Sequence, residues 1–119
     1  MKGNIVLEKS FDFAIRIVDV YKHLCNSQKE YVLSKQLLRS GTSIGANINE
    51  AQAAQSKNDF IAKMAIASKE ARESKYWIDL LIKTNYLDKN SEHTKSLLNQ
   101  AEELVKLLLT SIVKSSQSN

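Results

Sequence analysis

The residues whose types and spacing bear on chemistry are few: Glu50, Glu70 and Glu73, His23 and His93, Cys25, and the pair Gly41 and Gly45. Carboxylates on neighbouring helices can hold a di-iron centre. Such a centre needs a Glu from each of two helices and a Glu-x-x-His step from each of two others. Here the step reads Glu70-x-x-Glu73, and both histidines lie elsewhere in the chain, so no metal site is expected. Nor does anything in the sequence place two of these acids in contrasting environments, as a general acid and a general base require. They read instead as partners for Arg39, Arg72 or Lys69, or as acceptors for Ser and Asn side chains across helices.

Cys25 falls on an apolar stripe, where a lone cysteine behaves as a small hydrophobe. His23, two residues away, points to another part of a helix surface. A nucleophile–base pair is therefore not expected, and one cysteine makes neither an internal disulfide nor a zinc site. Gly41-x-x-x-Gly45 lacks the Gly-Lys-Ser/Thr ending of a phosphate loop and follows no strand. No catalytic residue, cofactor or metal is expected.

The elements that carry these residues are helical. The chain of 119 residues has no proline and three glycines, against the needs of a turn-rich β protein. Its length suits one domain, 1–119, with a single core. Apolar runs such as Leu107–Leu109 are too short to span a bilayer. Glu8, Lys9 and Asp12 would interrupt the apolar region of a signal peptide, and a cytoplasmic location is expected. The net charge of +4 is a mild basic bias that permits nucleic-acid contact without demanding it.

Periodicity predicts four helices, at about 10–26, 32–55, 56–84 and 90–114. In the first, Phe11, Ala14, Val18, Tyr21 and Cys25 recur at three- and four-residue steps, with Ile17 and Leu24 widening the stripe. The second aligns Leu33, Leu37, Ile44, Ile48 and Ala51. The third repeats every seven residues through Phe60, Met64, Ala67, Ala71, Ser74, Ile78 and Leu81. It opens on a capping-box-like Ser56 and Asp59, and Asn85 suits a left-handed position at its end. The fourth carries Leu97, Ala101, Leu104, Val105, Leu108 and Ile112. Short connections between long amphipathic helices give an all-α, antiparallel up-down-up-down four-helix bundle. The alternative is a three-helix chain in which Ser40–Asn47 is a loop. Ile44 and Ile48 keep register with Leu37 across the glycines, which favours helix. A glycine inside a helix costs about 1 kcal/mol relative to alanine, so Gly41 and Gly45 call for a close approach to another backbone.

Several motifs carry a family resemblance. Ser40-Gly41-x-Ser43-Ile44-Gly45-Ala46-Asn47-Ile48-x-Glu50, Phe60-x-x-Lys63 and Lys69-Glu70-Ala71-x-Glu73-Ser74-x-Tyr76-Trp77, with Ser10-Phe11-x-Phe13-Ala14 near the start, resemble the bacterial four-helix-bundle proteins known as 23S rRNA intervening-sequence proteins. The likeness runs over nearly the whole chain; Asn85 stands where that family commonly has glycine. The resemblance implies an antiparallel four-helix bundle, a homopentamer, and no established enzymatic activity. Some proteins related to that family are accessory proteins of diversity-generating retroelements, which engage a reverse transcriptase and nucleic acid.

Two function classes follow. One is a non-enzymatic homo-oligomeric scaffold or adaptor. The other is a nucleic-acid-binding accessory protein acting with a reverse transcriptase or on ribosomal RNA. For the first, Gly41, Gly45, Asn47, Glu50 and Trp77 are the candidates for close helix packing or a subunit interface. Tyr76 and Trp77 diverge by about 100° and cannot both face inward. For the second, the candidate contacts are Lys9, Arg16, Lys22, Lys57, Lys63, Lys69 and Lys75. Five copies would carry about +20, which a ring would gather into belts. The competing reading is a solvated face of lysines interleaved with acids.

Overall fold

Local signals set where each helix begins and ends. The computed structural model describes residues 4–117. The first helix, α1, spans Ile5–Asn26. It starts a turn and a half before the periodic residues because Asn4, in an extended conformation, accepts the Leu7 N–H at 3.1 Å through its side chain. The second helix, α2, spans Leu33–Ala51. Its first turn is closed by Glu30, whose carboxylate accepts the N–H groups of Val32, Leu33 and Ser34 at 3.1, 2.9 and 2.7 Å. Burial raises the pKa of Glu30, but those N–H groups outweigh it and hold the carboxyl below its ordinary value.

Unlike the expected 32–55, α2 stops at Ala51. Residues 52–54 tighten into i→i+3 bonds, from Gln52 N to Asn49 O and from Ala53 N to Glu50 O, and Ser56 takes the extended backbone that an N-cap needs. The third helix, α3, spans Lys57–Lys83. Ser56 Oγ accepts the Asp59 N–H at 3.0 Å, while Asp59 reaches back to the Gln55 N–H. The far end is a Schellman turn: Asn85 is left-handed (φ 69°), with Tyr86 N bonded to Leu81 O and Asn85 N to Ile82 O. The fourth helix, α4, spans Glu92–Gln117, capped by Ser91 Oγ on the Thr94 N–H. Residues 115–117 continue it beyond the expected end.

The four helices form an all-α bundle, with no strand among the described residues. Each packs on its neighbour in sequence, α1 and α4 close the ring, and diagonal helices do not meet. The molecule measures 49 × 24 × 22 Å. Ile17 meets Gly41 and Ser10 meets Gly45, while Lys9 meets Glu103 and Arg16 meets Ser96. Both registers run in opposite directions along the two helices, so α1 is antiparallel to α2 and to α4. The stretch at 40–47 is helix throughout, which excludes the three-helix alternative.

The core follows the expected stripes on three helices. Leu37, Ile44, Ile48 and Ala51 of α2, Met64, Ala67, Ala71, Ile78 and Leu81 of α3, and Leu97, Ala101, Leu104 and Leu108 of α4 are buried. The first helix departs from expectation. Its buried stripe is Ser10, Phe13, Ile17, Val20 and Leu24, whereas Phe11 is 65% exposed and Ala14, Val18, Tyr21 and Cys25 are only half-buried. The two stripes are offset by one residue throughout, about 100° around the helix. Thus α1 is apolar over an arc wider than a bundle position fills.

Candidate functional site

The surplus apolar arc of α1 lies beside the small-residue face of α2. A Cβ built on Gly41 would stand 2.7 and 2.8 Å from Cγ1 and Cγ2 of Ile17. Hydrogen is therefore the only side chain that fits without a shift of the Ile17 side chain. At Gly45 a Cβ would stand 3.1 Å from Ser10 Oγ. Ser10 is buried and turns its hydroxyl onto Leu7 O at 2.7 Å, which satisfies it without reaching α2. Threonine and serine on this stretch do likewise: Thr42 donates to Leu38 O and Ser43 to Arg39 O. Ser10 thus meets Gly45 with its hydroxyl already satisfied within its own helix.

Outside the Gly45 contact, α1 and α2 diverge into an open groove of about 820 Å³. Leu7, Phe11, Ala14, Gly45 and Ala46 form its apolar lining; Glu8, Asp12, Thr42 and Asn49 stand among them. Phe11 lines the groove yet remains largely in solvent, and Ile15, one turn on, is 49% exposed. A phenylalanine with most of its ring in water forgoes part of the ~1.5–3 kcal/mol that burial gives.

On the other flank of α1 the contact is polar. Arg16 donates to Ser96 Oγ (2.8 Å), Gln100 Oε1 (2.7 Å), His93 O (2.9 Å) and His93 Nδ1 (2.6 Å). A guanidinium only donates, so His93 Nδ1 accepts here. One side chain from α1 thus gathers acceptors from three residues in the first three turns of α4.

The other expected contact residues are scattered. Lys9 pairs with Glu103, Lys63 with Asp59, Lys69 with Glu70 and Glu73, and Lys75 with Asp79 and Glu102. Asp59 lies below its ordinary pKa and Lys63 above its own because they hydrogen-bond each other; Asp79 raises Lys75 in the same way. Lys22 and Lys57 have no ion-pair partner among the described residues, and they lie near opposite ends of the bundle. Asn47 donates to Ser43 O within its own helix, and Glu50 is exposed. Trp77 packs partly against the core, edge-on to the exposed Tyr76, with ring centroids 5.0 Å apart.

His23, His93, Asp19 and Asp88 line one cleft between α1 and the α3–α4 connection, but no group of three or more metal-ligating residues occurs among the described residues. Cys25 Sγ lies 3.8 Å from Ser34 Oγ, and no histidine stands beside it. Among the described residues, no helix is long and apolar enough to cross a membrane.

A sequence model described as "23S rRNA-intervening sequence protein" matches residues 2–110. The chain belongs to that family. Comparison with curated proteins finds no match. Among solved structures the chain is similar to a crystal structure of a protein with unknown function from the S23 ribosomal protein family of Bacteroides thetaiotaomicron VPI-5482. The two are 56% identical, with a TM-score of 0.86 over 90% of this chain and 97% of the other. The intervening-sequence family thus combines, in this chain, a closed bundle with an apolar groove open on one side.

The sequence already contained this groove. Leu7, Phe11, Ala14 and Ile15 are too many apolar residues for the arc left beside Phe13 and Ile17. Treating the whole arc as core hid it.

Proposed function

We propose that this protein is a non-enzymatic homo-oligomeric scaffold in which a second copy covers the α1/α2 groove. The observation that carries this reading is Phe11, 65% exposed over a groove of small apolar side chains. The core beneath it is closed, with Phe13, Ile17, Ile44 and Leu104 buried, so the exposed ring is not the result of a poor core. Small residues beside a projecting aromatic make a hole and a knob on one surface, the arrangement in which interface anchors concentrate binding energy. Oligomers of one chain close by rotational symmetry, and the homopentamer implied by the family resemblance is one such closure. The scaffold would act by presenting a repeated surface to a protein partner.

Light scattering across a hundredfold concentration range tests this reading. A mass that is a whole-number multiple of 13.4 kDa, five copies for the pentamer, is the expected result. A 13.4 kDa species at every concentration would overturn it.

One observation favours a second reading, the nucleic-acid-binding accessory protein, with a reverse transcriptase or ribosomal RNA as its setting. Five of the cations that have no ion pair among the described residues gather where the 27–32 and 84–91 connections meet. Lys22, Lys29, Lys35, Lys83 and Lys89 all belong to this end, and it faces away from the α1/α2 groove. Binding there would be driven by phosphate contacts and fall steeply with salt. Retardation of an RNA duplex at low salt that disappears by moderate salt is expected on this reading; no retardation at low salt removes it.

A further inference from the structure

The groove specifies the chemistry of the surface that covers it. Glu8 and Asp12 stand on its α1 edge one turn apart, both exposed, and neither has an ion pair among the described residues. Like charges at this spacing repel. Arg16, the next residue along that face, turns away to α4. The covering surface must therefore bring apolar side chains to Phe11 together with a cation to the acidic edge.

The outer face of α3 offers that combination. Ile66 and Tyr76 are 45% and 60% exposed. Arg72 stands one turn from Tyr76 and about 120° round the helix from Ile66. It is exposed, with its guanidinium donating only to the neutral Ser68 hydroxyl at 2.8 Å, while Lys69 and Glu73, between Tyr76 and Ile66, pair with each other. Height along the bundle agrees as well. Ser40 meets Ser74, and Gly41 and Gly45 meet Ile17 and Ser10. With a common rise per residue, positions 66–72 of α3 lie level with about 42–48 of α2 and about 8–14 of α1. A head-to-tail contact closes into a ring around an axis parallel to the bundle only when its two faces share that height; a stagger gives a filament instead.

We infer that the α1/α2 groove of one copy receives the outer face of α3 from the next, with Arg72 of that copy set against Asp12. This inference rests on the assembly reading and adds to it the two non-identical faces that meet. The contact is heterologous: every copy contributes a groove to one neighbour and an α3 face to the other.

Charge exchange tests it. Asp12→Arg and Arg72→Asp are exposed substitutions, and circular dichroism melts check that each variant stays folded. Each alone is expected to weaken association at least tenfold in sedimentation velocity runs. The double variant, which restores opposite charges at every contact, is expected to recover wild-type association, and an equimolar mixture of the two single variants to co-assemble in alternation, since both mixed contacts pair opposite charges. Wild-type association in either single variant, or a double variant as weak as the singles, overturns the inference while leaving the assembly reading in place. A wild-type chain that stays monomeric overturns the assembly reading itself.

Discussion

The two flanks of α1 hold their neighbours by opposite means. Toward α2 the contact is made by subtraction: Gly41 has no side chain, so Ile17 sits where a Cβ would be. Toward α4 it is made by addition, since the one long side chain of Arg16 takes acceptors from His93, Ser96 and Gln100. Of the four neighbouring pairs, α1 and α4 approach least closely. The difference teaches where specificity lies. A close-packed seam tolerates almost no change of volume, while a solvent-side polar clasp sets register and contributes modest stability. The same small residues that draw α1 onto α2 leave the groove beside them unfilled, so packing and the candidate assembly surface share one origin.

The largest effect is expected at the subtractive seam. Ile17→Ala should cost about 2–5 kcal/mol through lost burial and a residual cavity. Gly41→Ala should cost about 1–3 kcal/mol by overpacking. The decisive quantity is their coupling: the double variant should lose at least ~1 kcal/mol less than the sum, because removing the Ile17 branches makes room for the new Cβ. Urea unfolding of the four proteins measures it, and simple additivity would break the account of close approach.

The connection that feeds this seam should show its own pH dependence. The carboxyl of Glu30 titrates below its ordinary value in the folded protein because three N–H groups bond its charged form. Its contribution is therefore complete above the unfolded value of 4.5 and is lost as pH falls through the lower folded value. Glu30→Gln should cost about 1 kcal/mol at neutral pH and should flatten this part of the acid profile. An unchanged slope below neutral pH would remove Glu30 from that profile.

The additive seam should yield the smallest change. Arg16→Met keeps the aliphatic stem and removes the donors, and it should cost about 1 kcal/mol or less, since the bonds face solvent. Hydrogen exchange in the first turns of α4 should rise while exchange in α2 stays constant. Equal increases in both helices would show that the two flanks of α1 are not independent.

The sequence made some of these features easier to read than others. Helix α3 was the clearest, because its seven-residue repeat admits one buried face and Ser56 and Asn85 mark its ends. Gly41 was readable as a close approach, since interior glycines of a helix need a packing reason. The buried face of α1 was not readable: apolar residues cover so much of its circumference that periodicity alone could not choose between the stripe of Phe11 and that of Phe13. The α2 terminus at Ala51 was missed because Ala53 and Ala54 are good helix formers, whereas the extended backbone at Ser56 is set by α3. The Arg16 clasp depends on residues that only the antiparallel register of α1 and α4 brings together. The lysines gave a mixed outcome: Lys63–Asp59 and Lys75–Asp79 follow from i,i+4 spacing, but Lys9–Glu103 does not.

The account's central claim is that α1 uses one face to build the bundle and another to assemble copies of it. The most direct test is the solution mass of Phe11→Asp beside the wild type, by light scattering at one concentration, with thermal melts of both. Because Phe11 lies largely outside the core, the expected result is a folded 13.4 kDa species where the wild type is several times larger. A variant of the same mass as an assembled wild type, or one that unfolds instead of dissociating, would contradict the division of α1 into two faces.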